Sequence, residues 1–130
     1  YKRQVFGYER LCNVGGKDDL APAALYHHTF YDGHGGYPKN YPPCPADIKP
    51  IVDALTVADS LDAATDNIGR CYTMAKPVDT LLGEFRAQRG TRYAPEVVAL
   101  LDDEEFCRDL KETLDETRKS VYLEVYHVKR

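Results

Sequence analysis

The 130-residue sequence predicts an all-α fold of about one domain, and two observations carry that prediction. Apolar residues recur every three or four positions along most of the chain, which is the spacing of one face of a helix. Proline and glycine stand where these stretches begin and end, as they commonly do at helix boundaries.

The N-terminal segment is predicted to form a helix over residues 1–12. Four of its residues share one face, namely Val5, Tyr8, Leu11 and Cys12. Gly15 and Gly16 follow and are expected to end the helix, because glycine is common just past a helix C-terminus.

A second helix is expected to begin at a cap formed by Asp18 or Asp19. It should run through the adjacent histidines His27 and His28 to about Phe30. The histidine pair is therefore placed near a helix C-terminus.

A long loop is predicted over residues 32–50, because glycine and proline are dense there. The residues concerned are Gly33, Gly35, Gly36, Pro38, Pro42, Pro43, Pro45 and Pro50. Long loops without secondary structure are usually functional or disordered. The aromatic residues Tyr31, Tyr37 and Tyr41 favour an ordered loop that covers another part of the domain.

Helical spacing returns over residues 47–65, with Pro50 acceptable only in the first turn. The predicted inward stripe consists of Val52, Leu55, Asp59 and Asp62. A carboxylate on such a stripe needs a cation, a metal or hydrogen-bond donors to offset desolvation. Asp59 is therefore a candidate site residue from its spacing alone.

Three more helices are predicted in the second half of the chain. One begins at Pro77 and is closed by Gly90, and the next begins at Pro95. A long amphipathic helix follows the acidic residues 102–105, which suit a helix N-terminus. Its tail, residues 121–128, is ambiguous because valine and leucine alternate there as in a strand.

Composition excludes several classes of protein. The formal net charge of −4, with both signs interspersed, argues against a duplex nucleic-acid partner, which would require a basic stripe. No apolar run approaches the roughly 18 residues of a membrane span. The four cysteines are scattered without a CxxC pair, which favours a reducing cytoplasm, although two disulfides remain formally open.

The residues that point to chemistry are His27, His28 and Asp59. Two neutral imidazoles and a carboxylate suit iron, manganese or zinc rather than calcium. At a helix end the backbone can turn both rings toward one centre. The competing interpretation is a chance pair of surface or capping histidines.

Four blocks then occur in the order found in one known family. HHTFYDGHGGYP over residues 27–38 is similar to the signature HHExxDGxGYP, and VADSLDAATDNIGRCY over residues 57–72 to VADxxDALTxDRPY. GTRYAPEVV over residues 90–98 resembles GTxFDPxVV, and FGYERL over residues 6–11 resembles IGYEIL. The chain thus resembles the C-terminal part of an HD-GYP domain.

This resemblance implies an HD-type helical bundle over residues 1–101, with a Gly/Pro/Tyr-rich loop, followed by a helical extension over residues 102–130. The family hydrolyses cyclic di-GMP with two or three iron or manganese ions, which activate a bridging hydroxide. The intact protein is accordingly expected to hydrolyse cyclic di-GMP or a related dinucleotide in signalling. The C-terminal helix suits packing on its own domain, pairing with a second copy, or contact with other signalling domains.

Residue by residue, the resemblance implies that His27, His28 and Asp59 bind metal. Tyr37 matches the loop tyrosine near the dinucleotide bases, and Arg70 matches an arginine that contacts phosphate. The remaining matches are the loop residues Asp32, Gly33, Gly35 and Gly36. Asp32 and Gly33 are expected to hold the loop's shape, while Gly35 and Gly36 permit its tight backbone beside the substrate.

The departures from the family pattern bear on activity. Thr29 replaces the usual Glu, the loop carries an extra glycine, and two residues are inserted before Arg70. The family's HP histidine falls on Arg3, and its HD dyad would lie upstream of Tyr1. The chain alone is therefore expected to show little or no phosphodiesterase activity. The alternative function is a catalytically degenerate domain that acts as a nucleotide-binding or protein-interaction module.

Several candidates also have a purely structural interpretation. Asp59 and Asp62 would then be ordinary helix carboxylates, and Arg70 would pair with Asp66 one turn away. Tyr37 and Tyr41 would pack the loop on the core. The remaining histidines, His34 and His127, are expected at the surface.

Overall fold

The computed structural model describes residues 2–13, 20–66 and 75–128, and this part of the chain is helical as predicted. Its helices are α1 Lys2–Cys12, α2 Leu20–Tyr26, α3 Lys49–Thr65, α4 Val78–Ala87, α5 Pro95–Leu100 and α6 Glu104–Val128. The extended pairing found among these residues is limited to two isolated bridges, Thr29 with Gly36 and Arg89 with Tyr93.

The chain divides into two compact units, Tyr1–Val98 and Ala99–Arg130. The first unit contains α1 to α4, the long loop and most of α5. The second contains α6. The division after residue 101 that the family resemblance implies stays a prediction.

Helix α1 packs on α2, and α2 packs on α3. A buried cluster joins them, formed by Ala23, Leu25, Tyr26, Ile48 and Val52. Val5 and Tyr8 of α1 pack against this cluster, as their spacing predicted. Cys12, at the end of α1, is exposed. The residues predicted to end α1 and to cap α2 are Gly15, Gly16, Asp18 and Asp19, and they lie outside the described residues.

Helix α2 ends at Tyr26, and the prediction that it continues to about Phe30 is wrong. The Tyr26 carbonyl accepts hydrogen bonds from both the backbone N–H of Thr29, at 2.8 Å, and the Thr29 hydroxyl, at 2.7 Å. This contact spans three residues instead of the four of an α-helix, so the chain tightens into a turn. His27 and His28 therefore lie in that turn.

Helix α3 begins near the predicted residue, with Pro50 in its first turn. Its buried residues are Val52, Thr56, Val57, Leu61 and Thr65. Leu55 and Asp62 are exposed, so those two members of the predicted stripe are wrong. The buried threonines are tolerated because their hydroxyls donate to the carbonyls of Val52 and Leu61, at 2.8 Å each.

Helix α4 packs on α3 and buries Leu81, Leu82 and Phe85. Pro77 is the residue before its first turn instead of the first helical residue, a shift of one position. Gly90 follows the helix with a φ of +79°, the left-handed conformation that glycine adopts without a steric penalty. The Phe85 ring meets the Tyr93 ring edge to face at 4.7 Å, which joins α4 to the turn before α5.

In the second unit, α6 is helical through Val128, so the ambiguous tail is a helix. Asp103 Oδ1 accepts a hydrogen bond from the N–H of Phe106 at 2.8 Å, which satisfies one free donor of the first turn. Phe106 and Leu123 are exposed. Among the described helices, none combines the length and the apolar character that a membrane crossing requires.

Candidate metal site

The turn after α2 brings the two histidine rings together. Successive residues of a helix point roughly 100° apart, so an uninterrupted helix would separate His27 from His28. Because the helix stops at Tyr26, the ring centroids lie 4.3 Å apart with the planes tilted by 44°. The end of α2 thus produces the adjacency of the rings.

Asp59 of α3 completes the cluster. Its Oδ2 lies 3.8 Å from His28 Nε2, and one nitrogen or oxygen from each of His27, His28 and Asp59 lies within 4.8 Å of the others. Ligands of one transition-metal ion are at most about 4 Å apart, since each bond is about 2 Å long. The three ligand atoms therefore lie somewhat further apart than the ligands of one ion, and binding an ion would draw them together. Two histidines and one carboxylate are a donor set that suits iron(II).

Asp59 is half-exposed, with 42% of its side chain accessible. The inference that this carboxylate is buried and needs a compensating cation is therefore wrong. Its candidacy depends on its position beside the two imidazoles instead. A half-exposed carboxylate remains accessible to solvent.

His27 is oriented by the helix that precedes it. Its Nδ1 lies 3.0 Å from the carbonyl oxygen of Ala23, one turn back in α2. That oxygen can only accept, so Nδ1 carries the proton and donates. Nε2 of the neutral ring is then left with its lone pair for a metal, which is how a backbone carbonyl commonly orients a histidine ligand.

His28 is held in the form that binds metals. Burial lowers the pKa of His28 below 6.5, and the neighbouring charges of His27 and Arg92 lower it further, while Asp59 opposes them. The neutral imidazole therefore persists to lower pH than in water. Only that form has a free lone pair, so less proton competition is expected at this residue.

The loop after the histidines folds back on them through Gly36. Gly36 has a φ of +76°, and a Cβ at this position would overlap the carbonyl oxygen of His28. The N–H of Tyr37 donates to that same oxygen at 3.2 Å. As a result, the Tyr37 ring stacks on the His28 ring, with centroids 4.8 Å apart and planes 23° from parallel.

The other glycines and Asp32 shape the tip of the loop. Asp32 Oδ1 accepts a hydrogen bond from the N–H of His34 at 2.8 Å, and Gly33 between them has a φ of +75°. A Cβ on Gly35 would overlap the Phe30 ring. Gly35 and Gly36 thus each have a packing requirement that is independent of any ligand.

Backbone hydrogen bonds join the loop to the turn before α5. The N–H groups of Tyr31 and Asp32 donate to the carbonyls of Arg92 and Thr91, at 3.1 and 3.0 Å. The Arg92 guanidinium lies over the Phe30 ring at 5.6 Å and over the Tyr93 ring at 5.1 Å. Sequence reasoning did not single out Arg92, although it stands inside the GTRYAPEVV block.

A cavity of about 550 Å³ lies against the loop. The residues that line it include Tyr26, Phe30, Tyr31, Tyr41 and Lys49. The Tyr26 hydroxyl donates to the carbonyl of Pro42 at 2.8 Å, which holds the proline-rich part of the loop. Tyr41 thus lines this cavity, whereas Tyr37 stacks on His28.

Some of the predicted residues within the described ranges are not part of the cluster. Arg70 lies outside the described residues. Arg3 is exposed on α1, and Asp62 is exposed on α3. The cysteines among the described residues, Cys12, Cys44 and Cys107, are free thiols.

Compared with family models, curated proteins and solved structures, the chain shows no match. The chemistry of the site therefore has to be argued from its own residues. These residues offer two imidazole rings, one carboxylate and a stacked phenol ring, and such nitrogen and oxygen donors suit a transition-metal ion.

Proposed function

We propose that this chain supplies part of the metal centre of an HD-GYP-type phosphohydrolase, which in the intact protein hydrolyses cyclic di-GMP or a related dinucleotide. The observation that carries the proposal is the His27, His28 and Asp59 cluster, whose candidate ligand atoms lie within 4.8 Å of one another. Iron or manganese is the proposed metal, because imidazole and carboxylate together suit both.

In this mechanism the chain's own residues bind and orient. His27 presents Nε2 because its Nδ1 is engaged by Ala23, and His28 presents a neutral ring held under Tyr37. Asp59 adds a negative charge that favours a divalent cation. When bound, such a metal lowers the pKa of a water molecule and polarises the phosphoryl group.

The stacked ring of Tyr37 offers a surface at the edge of the cluster. It is 37% exposed, so one part of the ring packs on His28 while another part faces solvent. An aromatic face of this kind suits stacking with a nucleobase. We therefore assign Tyr37 to the dinucleotide base and the histidine cluster to the phosphodiester.

Metal binding by the chain tests this proposal. We expect Mn²⁺, followed by electron paramagnetic resonance, to bind with about one equivalent to His27, His28 and Asp59. Asp59→Ala and His28→Ala should each weaken binding by tenfold or more, because a three-ligand site that loses one ligand loses much of its free energy. Asp62→Ala, one turn along α3 and exposed, is the matched control and should leave binding unchanged.

Turnover is tested separately in the intact protein, with cyclic di-GMP as the substrate. Hydrolysis that requires iron or manganese and disappears in Asp59→Ala would support the proposal. A protein that binds no metal after reconstitution, or whose Mn²⁺ affinity is the same in Asp59→Ala and Asp62→Ala, would contradict it. The isolated chain should show little or no hydrolysis, since catalysis requires a complete ligand set.

The second candidate function is a catalytically degenerate domain that binds a nucleotide or a signalling partner. Arg3 favours it, because an arginine stands where the family has a metal-binding histidine. In that case the intact protein would bind cyclic di-GMP without metal and without hydrolysis. Either function is proposed for the cytoplasm, where the free thiols of Cys12, Cys44 and Cys107 would stay reduced.

A further inference from the structure

Both backbone groups of Arg92, its N–H and its carbonyl, form hydrogen bonds. Its N–H donates to the carbonyl of Gln88 at 3.1 Å, and its own carbonyl accepts the N–H of Tyr31 at 3.1 Å. The residue therefore belongs both to the turn between α4 and α5 and to the loop that follows the histidines. Its Cα position is set by two elements of the first unit.

The guanidinium is held through its flat face. It lies over Phe30 and Tyr93, which use the π surface of the group and not its N–H donors. A guanidinium is planar and has five N–H donors, whose arrangement suits two oxygens of a carboxylate or a phosphate. Stacking thus orients the group while leaving donors available.

Three cations of the described chain have a carboxylate partner, and Arg92 differs from these three. Lys49 pairs with Asp53 at 2.8 Å, Lys76 with Glu84 at 2.6 Å, and Arg108 with Glu105 at 3.5 Å. Within the described ranges no carboxylate is paired with Arg92. It is half-buried, so an unpaired charge there is less well solvated than one on an open surface.

The position of Arg92 relative to the cluster supplies the second observation. The Phe30 ring on which it stacks is two residues from His28, and the Arg92 carbonyl is hydrogen-bonded to the N–H of Tyr31, the residue after Phe30. A fixed cation close to metal ligands opposes a metal cation unless an anion lies between them. The cluster and Arg92 are therefore compatible when an oxyanion is bound.

We propose that the Arg92 guanidinium is an oxyanion-binding group, which holds a non-bridging phosphate oxygen of the substrate beside the His27, His28 and Asp59 cluster. This inference rests on the proposed function. It assigns phosphate recognition to a residue of the described chain, in addition to the role that the resemblance implies for Arg70. Arg92 occupies the position that the pattern GTxFDPxVV leaves variable, so the resemblance itself assigns it no role.

Inorganic phosphate is the probe, titrated into the chain with and without Mn²⁺ and followed by ³¹P nuclear magnetic resonance. The variants are Arg92→Met, which keeps an apolar stem for stacking, and Arg92→Lys, which keeps the charge. Arg89→Ala removes the same charge three residues away and is the matched control. Thermal unfolding of each variant reports any loss of loop packing independently of phosphate.

We expect Arg92→Met to weaken phosphate binding by about tenfold, since a charge-assisted hydrogen bond is lost. Arg92→Lys should recover part of that loss, and Arg89→Ala should bind as the wild type does. With Mn²⁺ present, paramagnetic broadening of the bound phosphate should be strong in the wild type and reduced in Arg92→Met.

The two proposals fail in different ways. If Mn²⁺ does not bind but phosphate affinity of the metal-free chain still depends on Arg92, the proposed function fails and the oxyanion site stands. If Mn²⁺ binds and Arg92→Met takes up phosphate as tightly as the wild type, the oxyanion site is overturned and the metal site stands. Absence of phosphate binding to the wild type in both forms also overturns the Arg92 proposal.

Discussion

The loop between α2 and α3 has two halves that are held by different kinds of contact. In the glycine-rich half, residues 29–38, the N–H groups of Thr29, Phe30, Tyr31, Asp32, Gly33 and Tyr37 all donate to backbone carbonyls. In the proline-rich half, residues 39–46, no N–H donates to a backbone carbonyl of the described chain. That half contributes acceptors instead: the carbonyl of Pro42 accepts from the Tyr26 hydroxyl, and the carbonyl of Pro45 accepts from the N–H groups of Ile48 and Lys49.

The difference follows from the residues themselves. Proline has no N–H to donate, so Pro42, Pro43 and Pro45 can contribute only their carbonyls to hydrogen bonds. Glycine permits the left-handed turns at Gly33 and Gly36 that let backbone groups meet. The half nearer the histidines is therefore cross-linked by its own backbone, and it is the half that positions Tyr37 on His28.

The largest effect is expected for Gly36→Ala in the glycine-rich half. The added Cβ would overlap the His28 carbonyl, and the residue would have to keep a φ of +76°. We expect a loss of about 3 kcal/mol in the free energy of unfolding, measured by urea denaturation. Mn²⁺ affinity should fall as well, because the turn that aligns His28 would shift.

Gly83→Ala is the control for Gly36→Ala. Gly83 lies inside α4, and a Cβ there would meet open space. Alanine should stabilise the chain by about 0.5–1 kcal/mol, since it has the higher helix propensity. Equal effects of the two substitutions would contradict the description of Gly36 as a steric requirement of the loop.

A smaller effect is expected for Tyr26→Phe, which tests the proline-rich half. Removing the hydroxyl leaves the Pro42 carbonyl without its partner, and we expect a loss of about 1 kcal/mol in the free energy of unfolding. Cys44, which packs in the same region, should react faster with a thiol reagent. Tyr41→Phe serves as the control, and unchanged Cys44 reactivity in Tyr26→Phe would show that other contacts hold this half.

The smallest effect is a pH dependence at His28. Its pKa is lowered in the folded chain, so the unfolded chain binds the proton more readily. The stability that His28 contributes should be fully present above its unfolded pKa, about 6.5. It should decline as the pH falls from about 6.5 through the folded value.

His28→Gln should remove that part of the decline in the free energy of unfolding, measured by urea denaturation at several pH values. His34→Gln is the control, because its side chain is 88% exposed. If wild type and His28→Gln lose stability in parallel below pH 6.5, the lowered pKa of His28 is contradicted.

The sequence was most informative where one residue acts on its own backbone. Pro50 and Gly90 predicted helix boundaries because a fixed φ and a left-handed φ operate locally. The end of α2 was missed because it depends on a hydroxyl, that of Thr29, which bonds the Tyr26 carbonyl. Hydrophobic spacing likewise predicted that Leu55 points inward, whereas Leu55 is exposed and Thr56 is buried. Burial of Thr56 is possible because its hydroxyl donates to the carbonyl of Val52 within α3.

The candidate site likewise contains features that the sequence predicted and features that it did not. The pairing of His27 and His28 with Asp59 was anticipated from residue type and spacing, and the structure brings the three together. The stacking of Tyr37 on His28 and the position of Arg92 were not anticipated. The stacking depends on how the loop folds back through Gly36, and the position of Arg92 depends on how the loop meets a segment some sixty residues further along the chain. Neither contact leaves a periodic signal in the sequence.

The short length of α2 has a consequence for how the site is built. Seven residues make fewer than two helical turns, which is too little to be stable alone in water. Helices α1 and α3 therefore maintain the end of α2, and with it the turn that brings the two imidazoles together. A peptide copied from residues 20–38 would carry the whole histidine and glycine sequence without its geometry. The metal-binding arrangement is thus a property of the packed helices and cannot be transplanted as a linear motif.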